Sequence, residues 1–351
     1  MTTPFTPNDI FLHKMVSDTD GSSRENLIAC AVGSLDQVND SESSTLWIVP
    51  LDGGAPWPMT QGASQDNTPR WSPDGQRLAF VSNRSGSFQI HVIPRHGGES
   101  TPLSHGDFTV VSFEWSPNGS SLAAVCAVTV DPSLRGDRMP PDAPPVSPDA
   151  PQVAWKLPYK IDGVGYALNR EMRLFRIDAV SGDATALTDG PFDVKAANWS
   201  PDGAQIVYVR TREGDASHRS DVWLMDADGG NARQMTHELA QVLYPVWSPD
   251  GKWIVFGGTE QEGDAQVRLW LIEVATGEVR PLGDESIELS FEGDSLQFAG
   301  QDSSCVLAIV ASRGVQHVCE VSIPDGQINT LATGDRHLSK LAVTPDFLAY
   351  T

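Results

Sequence analysis

Apolar and polar residues alternate along most of this chain, in short stretches that end in small-residue turns. The stretches Leu46-Trp47-Ile48-Val49 and Val222-Trp223-Leu224-Met225 both lead into an Asp-Gly-Gly turn. Alternation with a period of two, bounded by Asp-Gly or Gly-Gly, predicts β-hairpins. A short polar strand ending in Met-Thr or Leu-Thr follows, and continuous apolar runs such as residues 206–209 predict inner strands that are covered on both faces. The pattern therefore predicts an all-β chain.

One motif divides these strands into repeats. Trp-Ser-Pro-Asp-Gly occurs three times and Trp-Ser-Pro-Asn-Gly once, at intervals in the forties of residues or twice that. In each copy the proline presets a type I turn, the glycine supplies the positive φ that follows, and the tryptophan is expected to pack between repeats. Strand-and-turn repeats of this length predict a β-propeller. The structural repeat residues are Trp71, Pro73, Gly75, Trp115, Pro117, Gly119, Trp199, Pro201, Gly203, Trp247, Pro249 and Gly251.

Weaker copies of the repeat extend the blade count to seven. Inner strands are predicted to begin near residues 27, 76, 120, 204, 252, 295 and 347. We therefore expect a seven-bladed propeller of four-stranded antiparallel blades, with only an inner strand in the last blade. Either the first dozen residues supply the strands missing from that blade, or the natural protein continues beyond Thr351.

The whole chain, residues 1–351, is predicted to form a single propeller domain. Residues 1–25 form an N-terminal arm in this scheme, and residues 129–158 form a proline-rich insertion in the third blade. Proline removes the donors that a strand ladder needs, so the insertion is expected to leave the sheet as a loop.

Composition narrows the possible functions. The net charge of −22 argues against a nucleic-acid partner, because such binding needs clustered Lys and Arg. The four cysteines contain no Cys-x-x-Cys pair and the histidines lack metal-ligand spacing, so we expect neither a metal nor a cofactor. The N-terminal residues lack a basic segment followed by an apolar one, and no apolar run approaches the roughly 20 residues that span a bilayer. A cytoplasmic protein without membrane contact is expected.

One segment outside the repeat mixes cationic, aromatic and flexible residues, as binding insertions often do. It lies at residues 155–170, and its candidate binding residues are Lys160, Asp162, Tyr166 and Arg170. A plain hairpin with an Asp162-Gly163 turn is the alternative interpretation.

The motifs resemble two groups of propellers. The Trp-Ser-Pro-Asp-Gly repeat is similar to both the Tol–Pal propeller and the N-terminal domain of prolyl oligopeptidase-type serine peptidases. The tract Lys160-Ile161-Asp162-Gly163-Val164-Gly165-Tyr166 resembles the third blade of the acylaminoacyl-peptidase branch, as does Ser220-Asp221-Val222-Trp223 further along. The peptidase resemblance implies a propeller that covers an α/β-hydrolase domain and restricts access to short peptides.

No catalytic residue can be assigned in this chain. The nucleophile elbow of an α/β-hydrolase needs Gly-x-Ser-x-Gly, and the nearest match, Gly293-Asp294-Ser295-Leu296-Gln297, has Gln in the last position. There is also no alternation of strands and helices from which to build a hydrolase sheet. We therefore expect a truncated, non-catalytic, substrate-gating propeller whose partners are a hydrolase domain, in cis or in trans, and short peptides. The alternative is a free-standing scaffold that binds a protein or a ligand. A propeller enzyme with its active site in the central channel would need a ring of acidic or histidine ligands repeated from blade to blade.

Overall fold

The computed structural model describes residues 6–130, 159–161, 165–167, 169–263, 265–285, 288–290, 295–299, 302–334 and 337–351. For residues 161, 165 and 166 the description is limited to the backbone. The predicted insertion at residues 129–158 lies almost entirely outside the described residues. No helix among these described segments is long and apolar enough to cross a membrane.

Antiparallel four-stranded sheets make up most of the fold, as the alternating pattern predicts. The first blade contains β1 (Met15–Gly21), β2 (Leu27–Asp36), β3 (Ser41–Pro50) and β4 (Trp57–Pro58). The second contains β5 (Asp66–Trp71), β6 (Arg77–Ser82), β7 (Gln89–Pro94) and β8 (Thr101–Pro102). The third contains β9 (Phe108–Trp115), β10 (Ser121–Thr129), β13 (Arg170–Asp178) and β14 (Ala184–Ala186), and a separate hairpin of β11 (Lys160–Ile161) and β12 (Gly165–Tyr166) lies between β10 and β13 in sequence.

The remaining blades continue this order. The fourth contains β15 (Val194–Trp199), β16 (Gln205–Thr211), β17 (Ser220–Asp226) and β18 (Arg233–Gln234). The fifth contains β19 (Gln241–Trp247), β20 (Trp253–Thr259), β21 (Arg268–Glu273) and β22 (Val279–Pro281). The sixth contains β23 (Glu288–Leu289), β24 (Leu296–Phe298), β25 (Cys305–Ser312), β26 (Val315–Ser322) and β27 (Ile328–Gly334), and the last sheet contains β28 (Leu341–Val343) and β29 (Leu348–Tyr350).

The all-β propeller is confirmed, but the described residues form six blades rather than the predicted seven. The inner strand predicted near residue 347 is β29, in a sheet of two strands. The inner strand predicted near residue 295 is wrongly placed: β23 and β24 both pair with β25 at the edge of the sheet, and β25 is the inner strand. This repeat lacks the Ser-Pro pair, so its turn does not mark which strand follows.

The first four blades share a hydrogen bond that explains the Met-Thr or Leu-Thr ending of the repeat, with Leu-Ser in the second blade. The hydroxyl of Thr60 accepts a bond of 2.9 Å from the Leu46 amide, and that of Thr236 accepts one of 3.0 Å from the Val222 amide. The Ser104 hydroxyl likewise accepts a bond from the Ile90 amide, and the Thr188 hydroxyl accepts one from the Leu174 amide. The outer strand is only two or three residues long in these blades, so the hydroxyl satisfies a buried amide of the third strand that would otherwise lack a partner.

The hydrophobic core is divided into clusters that lie mainly between neighbouring blades. Trp71, Trp115, Trp199 and Trp247 are all buried in such clusters, which join the first blade to the second and so on to the fifth. Two of these tryptophans also bond to the preceding blade: the indole N–H of Trp115 donates to the Arg70 carbonyl, and that of Trp199 donates to the Glu114 carbonyl. These two bonds hold the first strands of the second, third and fourth blades next to one another.

Polar contacts join the last sheet to the first blade. The Asn26 side chain donates to Asp346 at 2.8 Å and accepts a bond from the Thr344 hydroxyl at 3.2 Å, and Lys340 forms an ion pair with Asp18 at 3.6 Å. Residues 15–21, within the predicted arm, form β1 as the first strand of the first blade, and residues 7–12 form a 3-10 helix against β2. The described part of the first dozen residues therefore does not supply outer strands to the last sheet.

Gly21 allows this closure, because it occupies the register position at which four other first strands have tryptophan. A methyl group at Gly21 would overlap the main-chain carbonyl of Val343. We expect Gly21→Ala to destabilise the protein by about 1–3 kcal/mol, as overpacking does, and to increase amide hydrogen exchange at residues 341–351. The matched control is Gly33→Ala on the neighbouring strand, where a new methyl group would lie 3.6 Å from the Met15 carbonyl oxygen. Equal exchange in the two variants would contradict this account.

Candidate functional site

The antiparallel strands give the propeller two distinct faces. The Trp-Ser-Pro turns join first to second strands and lie on one face, which we call the repeat face (residues 72–76, 116–120, 200–204 and 248–252). The connections between second and third strands lie on the opposite face, which we call the insertion face (described residues 37–40, 83–88, 130, 159–161, 165–167, 169, 212–219, 260–263 and 265–267). The β11–β12 hairpin belongs to the insertion face, because it lies in sequence between β10 and β13.

The repeat face consists of copies of one hydrogen-bonded turn. The Ser72 hydroxyl donates to Asp74 at 2.6 Å and accepts from the Arg77 amide at 3.0 Å. The same pair of bonds occurs at the other three copies. Pro73, Pro117, Pro201 and Pro249 stand at the second turn position, and Gly75, Gly119, Gly203 and Gly251 have φ values of 69° to 71°. These residues have a clear structural role.

Asp250 in one of these turns gives the protein a pH-dependent contribution to stability. Partial burial acts against its ionisation, but the hydrogen bond from Ser248 and the charge of Lys252 outweigh burial and lower the pKa to about 2. An unfolded aspartate titrates near pH 3.9, so the ionised form stabilises the folded protein above about pH 4, and this contribution is lost as the pH falls towards 2.

We expect Asp250→Asn to be less stable than the parent protein above pH 4, with a difference that shrinks between pH 4 and pH 2. Asn118 already occupies the corresponding position in the third blade and accepts the same two bonds, at 2.8 and 3.0 Å, so an amide fits this turn. Urea denaturation at several pH values measures the free energy of unfolding. A difference that is constant across this range would show that the charge does not contribute.

The structure brings together only some of the candidate binding residues. Lys160 lies opposite Tyr166 in the β11–β12 hairpin, as the hairpin interpretation predicts, and Arg170 begins β13 opposite Thr129. Lys160 and Arg170 are exposed. Asp162 and the side chain of Tyr166 lie outside the described part of the chain. A binding role for these four residues stays a prediction.

The insertion face also contains buried charges that sequence reasoning missed. Three carboxylates with 1% exposed side chains each have an arginine partner on this face. The pairs are Asp66 with Arg84, Glu171 with Arg173, and Asp221 with Arg212. Asp221 lies in the Ser220-Asp221-Val222-Trp223 segment that carries the peptidase resemblance, but nothing in that segment marks the aspartate as buried or paired. Among the described residues, no three His, Cys, Asp or Glu side chains form a group that could hold a metal ion.

A cavity of about 340 Å³ lies on the insertion face next to the Arg212–Asp221 pair. Arg212 donates to both oxygens of Asp221 at 2.7 and 3.0 Å, and it also donates to the carbonyls of His237 and Leu239. The neighbouring Arg210 is held between two aromatic rings, those of Phe192 and Trp223. This geometry can bind an anionic or hydrogen-bonding group at the cavity.

Five four-stranded blades and a sixth of five strands, four of them with a Trp-Ser-Pro turn, define the chain as a β-propeller of the repeat type found in TolB. The sequence profile of the TolB beta propeller domain matches residues 34–130 and 134–339, and the chain therefore belongs to this family.

Several of the proteins that this chain resembles are peptidases. The uncharacterized peptidase YuxL of Bacillus subtilis is 27% identical over 222 residues, which cover 63% of this chain and 33% of that protein. The structure of Pyrococcus horikoshii acylaminoacyl peptidase matches with a TM-score of 0.72 at 17% identity, over 97% of this chain and 49% of that one. The β-propeller domain of the Trilobed protease from Pyrococcus furiosus is described as having an open velcro topology. It matches with a TM-score of 0.64 at 16% identity, over 96% of this chain and 88% of that domain.

These findings confirm the resemblance to peptidase propellers and to TolB propellers that the motifs indicate. At such identities the structural matches establish a shared fold. The chain spans about a third of the curated relative and about half of the acylaminoacyl peptidase.

Proposed function

We propose that this chain is the non-catalytic propeller of a peptidase and controls the access of short peptides to an α/β-hydrolase domain. The observation that carries the proposal is the sequence similarity to the Bacillus subtilis peptidase, of which the chain spans a third. The structural likeness to acylaminoacyl peptidase supports it, because that likeness extends over nearly the whole of this chain. Purified chain is expected not to hydrolyse acyl-peptides, and robust turnover by homogeneous material would overturn the proposal.

The partner domain would dock on the insertion face. Five large apolar side chains are exposed there beside the first blade, and we call them the apolar patch: Ile10, Leu12, Met15, Val16 and Val38. The first four precede or begin β1, whose start lies on this face, and Val38 lies in the connection between β2 and β3. Large apolar side chains exposed on one face of a protein favour an interaction surface there. The β11–β12 hairpin would approach the same partner, since it belongs to the same face.

The last sheet would be the inner half of a seventh blade. Its β28 strand lies against both β24 and β1, as the first strand of a seventh blade would. The polar contacts around Asn26 would then close the ring without a shared strand, which agrees with the open velcro topology described for the Trilobed protease propeller.

We also propose that the protein works in a reducing compartment such as the cytoplasm, where its four unpaired cysteines would stay reduced.

Association with a separately produced partner tests the docking proposal. The partner is the part of the Bacillus subtilis peptidase outside the matched residues, and biolayer interferometry measures its binding to chain 1–351. We expect Leu12→Asp combined with Met15→Asp to weaken binding at least tenfold. The matched control is Val180→Asp on the repeat face, where the valine is 89% exposed, and this variant should bind like the parent.

Equal binding by the patch variant and the control would refute docking at the apolar patch. Absence of binding by the parent chain would favour the alternative, a free-standing scaffold, which the TolB family match also accommodates.

A further inference from the structure

Arg210 on the insertion face is fixed in an unusual way. Its guanidinium carbon lies 4.0 Å from the centre of the Phe192 ring and 3.9 Å from that of the Trp223 ring. The three residues come from different elements: β16, β17 and the connection that precedes β15. Only 17% of the Arg210 side chain is exposed. Two aromatic rings therefore lie against the guanidinium, which leaves its N–H groups to make the polar contacts of the side chain.

The hydrogen-bond donors of Arg210 have no acceptor among the described residues. Its Nε is buried without a hydrogen-bond partner, and its only ion-pair contact is Glu213, at 3.6 Å from Nη2. A buried donor without an acceptor costs about 1–3 kcal/mol. The neighbouring Arg212 shows the contrast, because Asp221 and two main-chain carbonyls accept its hydrogen bonds. Arg210 is thus oriented for an acceptor from outside this chain.

The cavity beside Arg210 has room for such an acceptor. Its volume of about 340 Å³ lies at the lower end of the range for small-molecule sites. Its lining includes Arg210, Arg212, Glu213, Trp223, Gln234 and His237. The charge of Arg212 is neutralised by Asp221, and Glu213 is half exposed and can turn into solvent. Arg210 therefore differs from Arg212, because its carboxylate contact is the exposed Glu213, 3.6 Å away, which an incoming acceptor can replace.

We propose that this cavity binds a carboxylate group of a peptide through the edge of the Arg210 guanidinium. A carboxylate is planar and has two oxygens, so it accepts two parallel bonds from that edge. A phosphate dianion fits less well, since Asp221 and Glu213 lie in the same lining and would repel its second charge. The proposal rests on the proposed function for the source of the carboxylate, a short peptide that the propeller admits.

Ligand-observed NMR and calorimetry on purified chain 1–351 test the proposal with three peptides of matched length. One is an acetylated tri-alanine with a free C-terminus, the second is its C-terminal amide, and the third is an amide with aspartate in the middle position. We expect the free acid to bind at least tenfold more tightly than the plain amide. Tight binding of the aspartate peptide would assign the site to side-chain carboxylates, and weak binding would assign it to the peptide C-terminus.

Two variants connect this selectivity to Arg210. Arg210→Gln should abolish the difference between acid and amide, whereas Arg210→Lys should recover only part of it, because lysine lacks the two-pronged edge. Glu213→Gln leaves the aromatic stack intact and should tighten binding of the free acid severalfold, so the proposal can be tested even if Arg210→Gln does not fold.

Equal affinity for acid and amide in the parent chain, tighter binding of inorganic phosphate than of the free acid, or unchanged affinity in Glu213→Gln would overturn the proposal. The experiment contains no hydrolase domain, so failure of docking at the apolar patch would leave its outcome unaffected.

Discussion

Replacing Arg212 with alanine is expected to destabilise this protein by about 3–5 kcal/mol, because the change leaves the Asp221 carboxylate buried without its cation. Only 1% of the Asp221 side chain is exposed, and Arg212 supplies two of its hydrogen bonds while the Thr236 hydroxyl supplies a third at 3.1 Å. Thr236 also satisfies the Val222 amide, so the loss would disturb the outer strand of the fourth blade.

Urea denaturation followed by circular dichroism measures this effect. The matched control is Lys252→Ala, which removes the cation of the Lys252–Asp250 pair. The lysine side chain is 72% exposed, so we expect the free energy of unfolding to fall by at most about 1 kcal/mol. Replacing Arg212 with methionine and Asp221 with leucine together should regain most of the lost free energy, since the buried charge is then removed as well. A loss in Arg212→Ala no larger than in the lysine control would show that the pair contributes little.

Replacing Trp199 with alanine is expected to lower the free energy of unfolding by about 3–5 kcal/mol, which is the range for removing a large buried aromatic side chain. Trp199 is 6% exposed and packs with residues of the third and fourth blades, so its removal leaves a cavity between two blades. The matched control is Trp57→Ala in the outermost strand of the first blade, where the tryptophan is 39% exposed and a much smaller loss is expected.

A second comparison separates packing from hydrogen bonding at the repeat tryptophans. The Trp199 indole donates to the Glu114 carbonyl at 3.2 Å, whereas the buried indole N–H of Trp247 has no hydrogen-bond partner in the described structure. Trp199→Phe should therefore cost about 0.5–1.5 kcal/mol more than Trp247→Phe. Equal losses would mean that the indole bond between blades makes no net contribution to stability.

Arg210 and the apolar patch lie on the same face of the propeller, the one opposite the Trp-Ser-Pro turns. On the repeat face the charged residues of the turns bond within their own turn, as Asp74 does with Ser72. The turns therefore maintain the blades, whereas both of the contact sites that we propose lie on the insertion face.

The amino-acid sequence by itself determined the all-β class, the blade hairpins and the family resemblance, because the interactions behind them are local. Trp-Ser-Pro-Asp-Gly closes its own turn through the serine hydroxyl and the positive φ of glycine, and the Thr188 hydroxyl of a Leu-Thr ending bonds to Leu174, 14 residues earlier in the same blade. Such bonds join residues close in sequence, so the motif and its spacing reveal them.

Only the tertiary structure decided the blade count, the ring closure and the candidate site. Gly21 and Val343 meet because the ring brings the two ends of the propeller together, and no local motif marks either residue. Phe192, Arg210 and Trp223 form one stack across three elements, although each occupies an ordinary position in the strand pattern. Contacts of this kind depend on how neighbouring blades pack, because packing brings together residues that local pairing leaves apart.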